Sequence, residues 1–161
     1  MRALANAVVF EFDPALANLP GSTPARRLII DRAIGYLDNL EKQAGGASDL
    51  QVELATAYEK VAAVLGDPTA PNLGDAKGAL ANYRKALALR EGLDQSRKGG
   101  TDNRAGLVDD YGRLGALLVE TGDAKGAMGI YQRALSKGAG LETANPIGAA
   151  KWLACISNSP S

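Results

Sequence analysis

The sequence predicts an all-α protein of about seven helices, arranged as antiparallel hairpins that stack on one another. In one segment after another, apolar residues recur at every third or fourth position, which places them on one face of a helix. The apolar residues are mostly Ala, Leu, Val and Ile, and aromatic residues make up only 5% of the chain. Small side chains of this kind suit close helix contacts better than a sheet. A length of 161 residues fits a single domain.

The first segment has two interpretations. Leu4, Val8 and Phe12 recur every four residues, as in a helix, whereas residues 10–13 alternate as in a strand. We favour a helix because every later segment is helical. Residues 1–47 are then predicted to form an N-terminal helical hairpin.

The later helices have start signals at their N-terminal ends. A side-chain oxygen at the capping position can accept a hydrogen bond from a free backbone N–H of the first turn. Ser48 and Gln51 have the spacing of a capping box, in which two side chains satisfy two such groups. The predicted capping residues are Thr23, Ser48, Asp75, Thr101 or Asp102, Asp123 and Asn145.

Two stretches of the chain repeat each other. Residues 74–87 read GDAKGALANYRKAL, residues 122–135 read GDAKGAMGIYQRAL, and the two match without gaps at nine of 14 positions. Two amphipathic helices can share their apolar spacing by chance, but not an identical GDAKGA opening. The chain therefore contains an internal repeat of a helical unit.

The second copy, extended backwards, resembles the tetratricopeptide repeat. In that family an aromatic residue, a Leu-Gly pair and a further bulky residue mark the first helix of a hairpin, and a small, an aromatic and a small residue mark the second. The matching positions are Tyr111, Leu114, Gly115, Leu118, Ala127, Tyr131 and Ala134. The first copy matches more loosely through Leu54, Ala55, Tyr58, Ala79, Tyr83 and Ala86, with Gln51 in place of the leading aromatic and Ala55 in place of the glycine.

This resemblance implies a right-handed solenoid of stacked hairpins. The spacing from Tyr83 to Tyr131 is 48 residues, about 14 more than the roughly 34 of the standard repeat. We place the additional residues in a longer helix after Asp75 and in a loop at 95–101. The single domain, residues 1–161, is predicted to have four parts. They are the hairpin at 1–47, a first repeat at 48–94 that contains an insertion, a second repeat at 101–138 and a capping helix at 145–158.

The N-terminal half resembles a narrower family. Its most distinctive phrase is LPGSTPAR, within about residues 3–95, and the stretch is similar to the C-terminal tetratricopeptide extension of certain bacterial serine/threonine protein kinases. In that family the extension follows a kinase domain and a membrane span, which implies a signalling-associated sensor or docking module. We therefore expect a periplasmic location if this chain is such an extension, and a cytoplasmic one if it is the whole product.

The resemblance also predicts a binding groove, because the first helix of each hairpin forms the inner wall of such a solenoid. The surface mixes acids with small residues, which favours a shallow acidic groove for a basic or amphipathic peptide; the alternative is a solvated helix face. Some members bind a C-terminal carboxylate with Lys and Asn at these groove positions, and this chain has neither residue there. The predicted groove positions are Asp49, Val52, Thr56 and Glu59 in the first copy and Asp109, Gly112, Ala116 and Glu120 in the second.

Composition argues against several other functions. The net charge is zero, with 18 acidic and 18 basic residues, whereas nucleic-acid binders usually need a basic excess. The chain has no histidine, which is the commonest general base and metal ligand. No stretch reaches the roughly 18 apolar residues of a membrane span. We expect no enzymatic activity and no cofactor or metal, and a protein or peptide partner or a second copy of the chain.

Three remaining features have ordinary structural interpretations. Positive charge is concentrated at Arg84, Lys85, Arg90, Arg97 and Lys98, which predicts a solvated helix face rather than a phosphate or acidic-partner site. The single cysteine, Cys155, is interpreted as a packed small hydrophobe. Trp152 is interpreted as part of the cap on the last hairpin rather than as a binding hot spot.

Overall fold

A computed structural model describes residues 23–43, 45–68, 71–96, 98 and 100–138, and these residues form five helices. Within these ranges there is no strand, so the all-α prediction is confirmed. About seven helices were expected; the predicted helices at residues 4–12 and 145–158 lie outside the described residues. The five helices are α1 (Thr23–Gln43), α2 (Ser48–Gly66), α3 (Ala76–Gln95), α4 (Gly100–Glu120) and α5 (Ala124–Gly138).

The repeated GDAKGA opening has a structural reason at its shared positions. Gly74 and Gly122 have positive φ values of 71° and 87°, which favour glycine. The aspartate that follows each of them is an N-cap: its Oδ1 accepts a hydrogen bond of 2.8 Å from the backbone N–H three residues later. That later residue is again glycine, and a Cβ there would collide with the capping carboxylate. The caps predicted at Asp75 and Asp123 are therefore confirmed.

The capping box predicted at the start of α2 is wrong. Ala47 is the N-cap residue and makes no side-chain capping bond. Its carbonyl already accepts a hydrogen bond of 3.0 Å from the Gln51 N–H. Ser48 is therefore inside the helix, where its hydroxyl is not placed to cap the first turn.

Consecutive helices pack against each other around one hydrophobic core. The contacts are most extensive between α2 and α3 and between α4 and α5, and α3 packs on α4. Helix α1 packs on α2, and α2 also touches α4. The residues assigned to the repeat pattern are all buried: Leu54, Ala55, Tyr58, Ala79, Tyr83, Ala86, Tyr111, Leu114, Gly115, Leu118, Ala127, Tyr131 and Ala134.

The structure aligns the two copies in a register different from the one the sequence pattern predicts. The Asp75 N–H donates to the Leu65 carbonyl at 2.8 Å, and the Asp123 N–H donates to the Leu118 carbonyl at the same distance. Leu65, not Tyr58, is therefore the counterpart of Leu118. Counting back along α2 and α4 makes Tyr58 the counterpart of Tyr111.

This register changes the residues at both positions where the first copy departs from the family pattern. The leading aromatic of the first copy is Tyr58 rather than Gln51, and the small residue that matches Gly115 is Ala62 rather than Ala55. Ala62 is fully buried. In both copies the hydroxyl of the leading tyrosine donates to a carboxylate on the preceding helix.

The first copy also has a longer connection between its two helices, α2 and α3, of which residues 67, 68 and 71–75 are described. This connection has nine residues, against three between α4 and α5. The side chain of Asn72 links its two ends, donating to the Asp67 carbonyl at 2.7 Å and accepting from the Gly74 N–H at 2.7 Å. By contrast, the loop predicted at 95–101 is reduced to residues 96–99, because helix α4 begins early, at Gly100.

We predict that two alanine substitutions in α4, one turn apart, have opposite effects on stability. A Cβ at Gly115 would collide with the Tyr131 ring, whereas a Cβ at Gly112 meets nothing within 4 Å. Gly112→Ala should raise the free energy of unfolding by about 1 kcal/mol through helix propensity. Gly115→Ala should lower it by about 1–3 kcal/mol through overpacking. Denaturant unfolding of the two variants measures both values, and equal stabilisation would contradict the close packing.

Candidate functional site

The predicted groove positions fall into two environments. Four of them are exposed on α2 and α4: Asp49, Asp109, Ala116 and Glu120. Val52 and Gly112 are half-buried. Thr56 and Glu59 are also half-buried, and both take part in polar contacts that tie α2 to the helices beside it.

Two arginines make these contacts. Arg90 of α3 donates from Nε to Asp110 Oδ2 at 2.8 Å, and from Nη2 to Thr56 Oγ1 at 3.1 Å and Glu59 Oε2 at 3.4 Å. Arg113 of α4 donates from Nη1 to Asp67 Oδ2 at 3.0 Å. Its Nε lies 3.5 Å from Glu59 Oε1.

Glu59 thus lies between two guanidinium groups, and the charges form a continuous chain. We call the five residues Asp67, Arg113, Glu59, Arg90 and Asp110 the arginine network. The network joins α2, α3, α4 and the first residue after α2. Contacts within one hydrogen-bonded set of charges are stronger away from water than on an open surface. The network therefore links the two repeat copies, through a buried Arg90–Asp110 pair and through the partly exposed Arg113.

The absence of a side chain at Gly106 leaves room for the buried guanidinium of Arg90. A Cβ at Gly106 would collide with the Arg90 guanidinium, so this side chain lies directly against the α4 backbone. One turn earlier on α4, Asn103 Nδ2 donates to the Arg90 carbonyl at 3.0 Å. Arg90 is only 4% exposed. Its main chain and side chain are therefore both fixed on α4.

The arginine network has an unequal number of charges. It contains three carboxyl groups and two guanidinium groups, and Asp110 is fully buried with no hydrogen-bond partner at Oδ1. Burial, and then the negative charge of Glu59, raise the pKa of Asp110 from 3.8 to about 7, although Arg90 opposes the shift. Protonation of Asp110 leaves two carboxylates facing two guanidinium groups, which balances the charges.

The arginine network changes the predicted groove. Glu59 is engaged by Arg90 and Arg113, so its charge is already compensated within the protein. The exposed acids at the predicted positions are Asp49, Asp109 and Glu120. Asp109 and Glu120 lie on α4 on either side of Gly112 and Ala116, on the side of the helix that also carries the partly exposed Arg113.

The sequence pattern alone does not identify Arg90, Asp110 and Arg113 as partners. A signal was present, since Asp110 directly precedes Tyr111 and lies three residues after Leu107 on the apolar side of the α4 pattern. A charged residue at such a position needs a buried counter-ion. The partner could not be chosen without the helix register.

A second polar cluster joins α1 to α2 and α3. The Tyr58 hydroxyl lies within hydrogen-bond distance of Asp38 Oδ1, at 2.7 Å, and Glu41 Oε2, at 2.9 Å. Lys85 pairs with Asp38, and its Nζ lies 5.0 Å from the centre of the Tyr58 ring. An open depression of about 500 Å³ is lined by Asp38, Glu41, Lys85 and Lys42. The cluster anchors α1 and contains compensating charges of both signs.

The environment of this cluster alters its titration. Burial and the hydrogen bonds to Asp38 and Glu41 raise the pKa of Tyr58. Burial alone would raise the pKa of Asp38, but the hydrogen bonds from Lys85 and Tyr58 lower it below its usual value. Asp38 is therefore ionised under ordinary conditions and holds both partners.

The basic concentration predicted as a solvated helix face is divided among different environments. Arg90 is buried and Lys85 pairs with Asp38, whereas Arg84 and Lys98 are exposed. The solvated-face prediction is wrong for Arg90, because this residue is a structural link between helices. Arg97, Trp152 and Cys155 lie outside the residues whose side chains are described.

Comparison with protein-family models, with curated proteins and with solved structures finds no match to this chain. In the part of the chain that the structure describes, no helix combines the length and apolar character needed to cross a membrane. The same residues contain no group of three or more His, Cys, Asp or Glu side chains arranged to hold a metal ion.

We predict that Asp110 makes stability depend on pH. Its carboxyl binds a proton more readily in the folded protein than in the unfolded chain, because its pKa is raised from 3.8 to about 7. The free energy of unfolding should therefore fall as pH rises between these values, by at most about 1.4 kcal/mol per pH unit. Asp110→Asn should remove this contribution, as measured by urea unfolding between pH 4.5 and 7.5, values chosen to cover roughly that window.

The neighbouring residue provides a matched control. Asp109 is exposed on the same helix, so Asp109→Asn should retain the pH dependence of the unsubstituted chain. Asp38 and Asp94 have lowered pKa values, so their contributions fall below their ordinary pKa and outside this window. An Asp110→Asn variant with an unchanged slope would show that Asp110 is ionised throughout.

Proposed function

We propose that the chain is a non-catalytic scaffold that binds another protein or a peptide. The observation that supports this proposal is the exposed face of α4, where Asp109 and Glu120 flank the small residues Gly112 and Ala116. In this proposal the α2–α3 and α4–α5 hairpins are two units of a tetratricopeptide-like solenoid, and this face belongs to its inner wall. The arginine network ties α4 to α2 and α3, which reduces the ordering cost of binding.

The chemistry of this face favours a basic or amphipathic helix as the ligand. Glycine and alanine at 112 and 116 let a partner backbone approach closely, and the carboxylates on either side can meet lysine or arginine. Charge pairs at an exposed rim contribute more to association rate and specificity than to affinity. Binding should therefore weaken as the salt concentration rises.

We further propose that the scaffold serves signalling, as a sensor or docking module. The support is the similarity of about residues 3–95 to the extension of bacterial serine/threonine kinases. In that setting the module would lie across the membrane from the kinase domain, and its ligand would be a protein or peptide on that side. The catalytic work would belong to the attached kinase and not to this chain.

Charge reversal on α4 tests the proposed surface. We predict that Asp109→Lys combined with Glu120→Lys weakens the binding of an amphipathic Leu/Lys peptide helix by about tenfold or more, since it replaces two attractive contacts with repulsive ones. Fluorescence anisotropy of the labelled peptide, at low and high salt, measures the loss. A Leu/Glu peptide of the same pattern should gain affinity for the variant.

The control adds the same charge elsewhere. Asp31→Lys, Asn39→Lys and Gln43→Lys lie on α1 at exposed positions, and together they change the net charge by the same amount as the double reversal. This control should bind the Leu/Lys peptide nearly as well as the unsubstituted chain, apart from a general charge effect. Equal weakening by both variants would contradict a specific α4 surface.

Self-association is a second candidate function, as the dimerisation module of a kinase-linked system. Exposed apolar residues near the C-terminal end of the described chain favour it: Val119 of α4 is 43% exposed, and Met128 and Leu135 of α5 are each 46% exposed. Met128 and Leu135, seven residues apart, lie on the same side of α5, and large exposed apolar residues that lie together often mark an interface. Multi-angle light scattering over a concentration series should then show a dimer, and a strictly monomeric mass at the highest concentration would contradict it.

A further inference from the structure

The arginine network has a buried end and a partly exposed end. At the buried end, Arg90 is 4% exposed and Asp110 is 0% exposed, and Arg90 Nε donates to Asp110 Oδ2 at 2.8 Å. At the other end, the Arg113 side chain is 44% exposed and that of Glu59 is 19% exposed. The two ends meet at Glu59, because both arginines pair with its carboxylate.

Glu59 is held less closely than the other two carboxyl groups of the network. Its oxygens lie 3.4 Å from Arg90 Nη2 and 3.5 Å from Arg113 Nε. The same guanidinium groups have nearer partners, since Asp110 lies 2.8 Å from Arg90 and Asp67 lies 3.0 Å from Arg113. Attraction between charges weakens with distance, so an excess of negative charge in the network falls on Glu59.

The charged groups that act on Asp110 come from three helices. They are Glu59 of α2, Arg90 of α3 and Arg113 of α4 itself. Burial raises the pKa of the nearby Tyr83 hydroxyl of α3 to about 12, so Tyr83 stays protonated. The charged residues of α5, which also packs on α4, are exposed or paired elsewhere: Lys125, Arg133 and Lys137. Among these groups, the charge of Asp110 changes near neutral pH, since burial and Glu59 raise its pKa from 3.8 to about 7.

We propose that loss of the Asp110 proton places an uncompensated negative charge at Glu59, which then binds a cationic group of the ligand. While Asp110 is neutral, Glu59 balances the charge of Arg90. Asp67 balances the charge of Arg113. Once Asp110 is ionised, it balances Arg90 itself. Glu59 then shares Arg113 with Asp67, so two carboxylates face one guanidinium group at the partly exposed end.

This end of the network borders the exposed face of α4. Arg113 follows Asp109 by four residues and precedes Ala116 by three, which places the three side chains on one side of the helix. Glu59 reaches the same side from α2 through its contact with Arg113. A lysine or arginine of a ligand on this face therefore acts on Glu59 and, through the network, on Asp110. Such a ligand is the basic peptide of the proposed function, on which this inference rests.

Binding of the Leu/Lys peptide should release a proton, because a cation beside Glu59 stabilises the ionised form of Asp110. If the peptide lowers the pKa of Asp110 by about one, its affinity should rise roughly fivefold between about pH 6 and about pH 8. Lysine side chains stay charged over this range. Fluorescence anisotropy measures the affinity. Calorimetry of the unsubstituted chain in phosphate and Tris buffers, which differ in ionisation enthalpy, counts the protons released.

Two variants test which residue loses the proton and which receives the charge. Asp110→Asn is neutral at every pH and should bind the peptide no more tightly at the higher pH. Glu59→Gln leaves two carboxyl groups facing two guanidinium groups, and it should also abolish the rise. Asp109→Asn is the matched control, which should weaken binding at both pH values and keep their ratio. Circular dichroism checks that each variant is folded, and a fivefold rise retained in Asp110→Asn would overturn the proposal.

The charge transfer is also measured without a peptide, which separates its failure from that of the proposed function. In carbon-detected NMR of the unsubstituted chain, the Glu59 carboxyl carbon and the Arg90 Nε–H should shift with the same midpoint as the Asp110 carboxyl carbon. A peptide that binds at neither pH would contradict the proposed function, and these coupled shifts would still support the charge transfer. Titration of Asp110 without a response at Glu59 would overturn it, as would peptide binding that is independent of pH.

Discussion

Close approach between helices at very small side chains is the constraint on which this fold depends. Gly115 lies against the Tyr131 ring, and Gly66 lies so near α3 that a Cβ there would be 3.1 Å from the Ala79 Cβ. Helix axes that come this near exclude water along most of their length, and a single methyl group in the wrong place then costs stability. The buried tyrosines occupy the wider spaces that remain. Between the helices, the buried Arg90 pairs with two carboxylates, whereas Asp110 Oδ1 has no hydrogen-bond partner.

The arginine network and the Tyr58 cluster show how the chain meets that requirement. Each connects three helices. In the arginine network each guanidinium group lies between two carboxyl groups, and in the Tyr58 cluster Lys85 pairs with Asp38. Buried ion pairs are weak contributors to net stability, but the loss of one partner is costly. Their value here is in fixing which helix faces which, because small apolar side chains alone permit several sliding arrangements. The protonation of Asp110 adds a dependence on acidity to one of these junctions.

Much of the helical framework could be predicted from the sequence, and the register of the first copy could not. Aspartate caps, glycines at turns and three-to-four spacing gave the ends of most helices, because these signals are local. Along α2, however, the pairs Leu54-Ala55 and Val61-Ala62 have the same bulky-small pattern seven residues apart, so the family pattern fits twice. Only the hydrogen bond from Asp75 to Leu65 distinguishes the two. The groove prediction has the same ambiguity. It treats Glu59 as a free acid, whereas the pairing of Glu59 with Arg90 and Arg113 depends on contacts between distant parts of the chain.

The connection between α2 and α3 makes the two repeat copies unequal. Asp67, at its first position, reaches into the next hairpin and holds Arg113. The second hairpin has no equivalent extension, since only three residues join α4 to α5. Shortening this connection to the three residues of its counterpart would remove Asn72, whose amide donates to the Asp67 carbonyl. The position of the carboxylate that pairs with Arg113 therefore depends on the length of a connection and not only on the helices themselves.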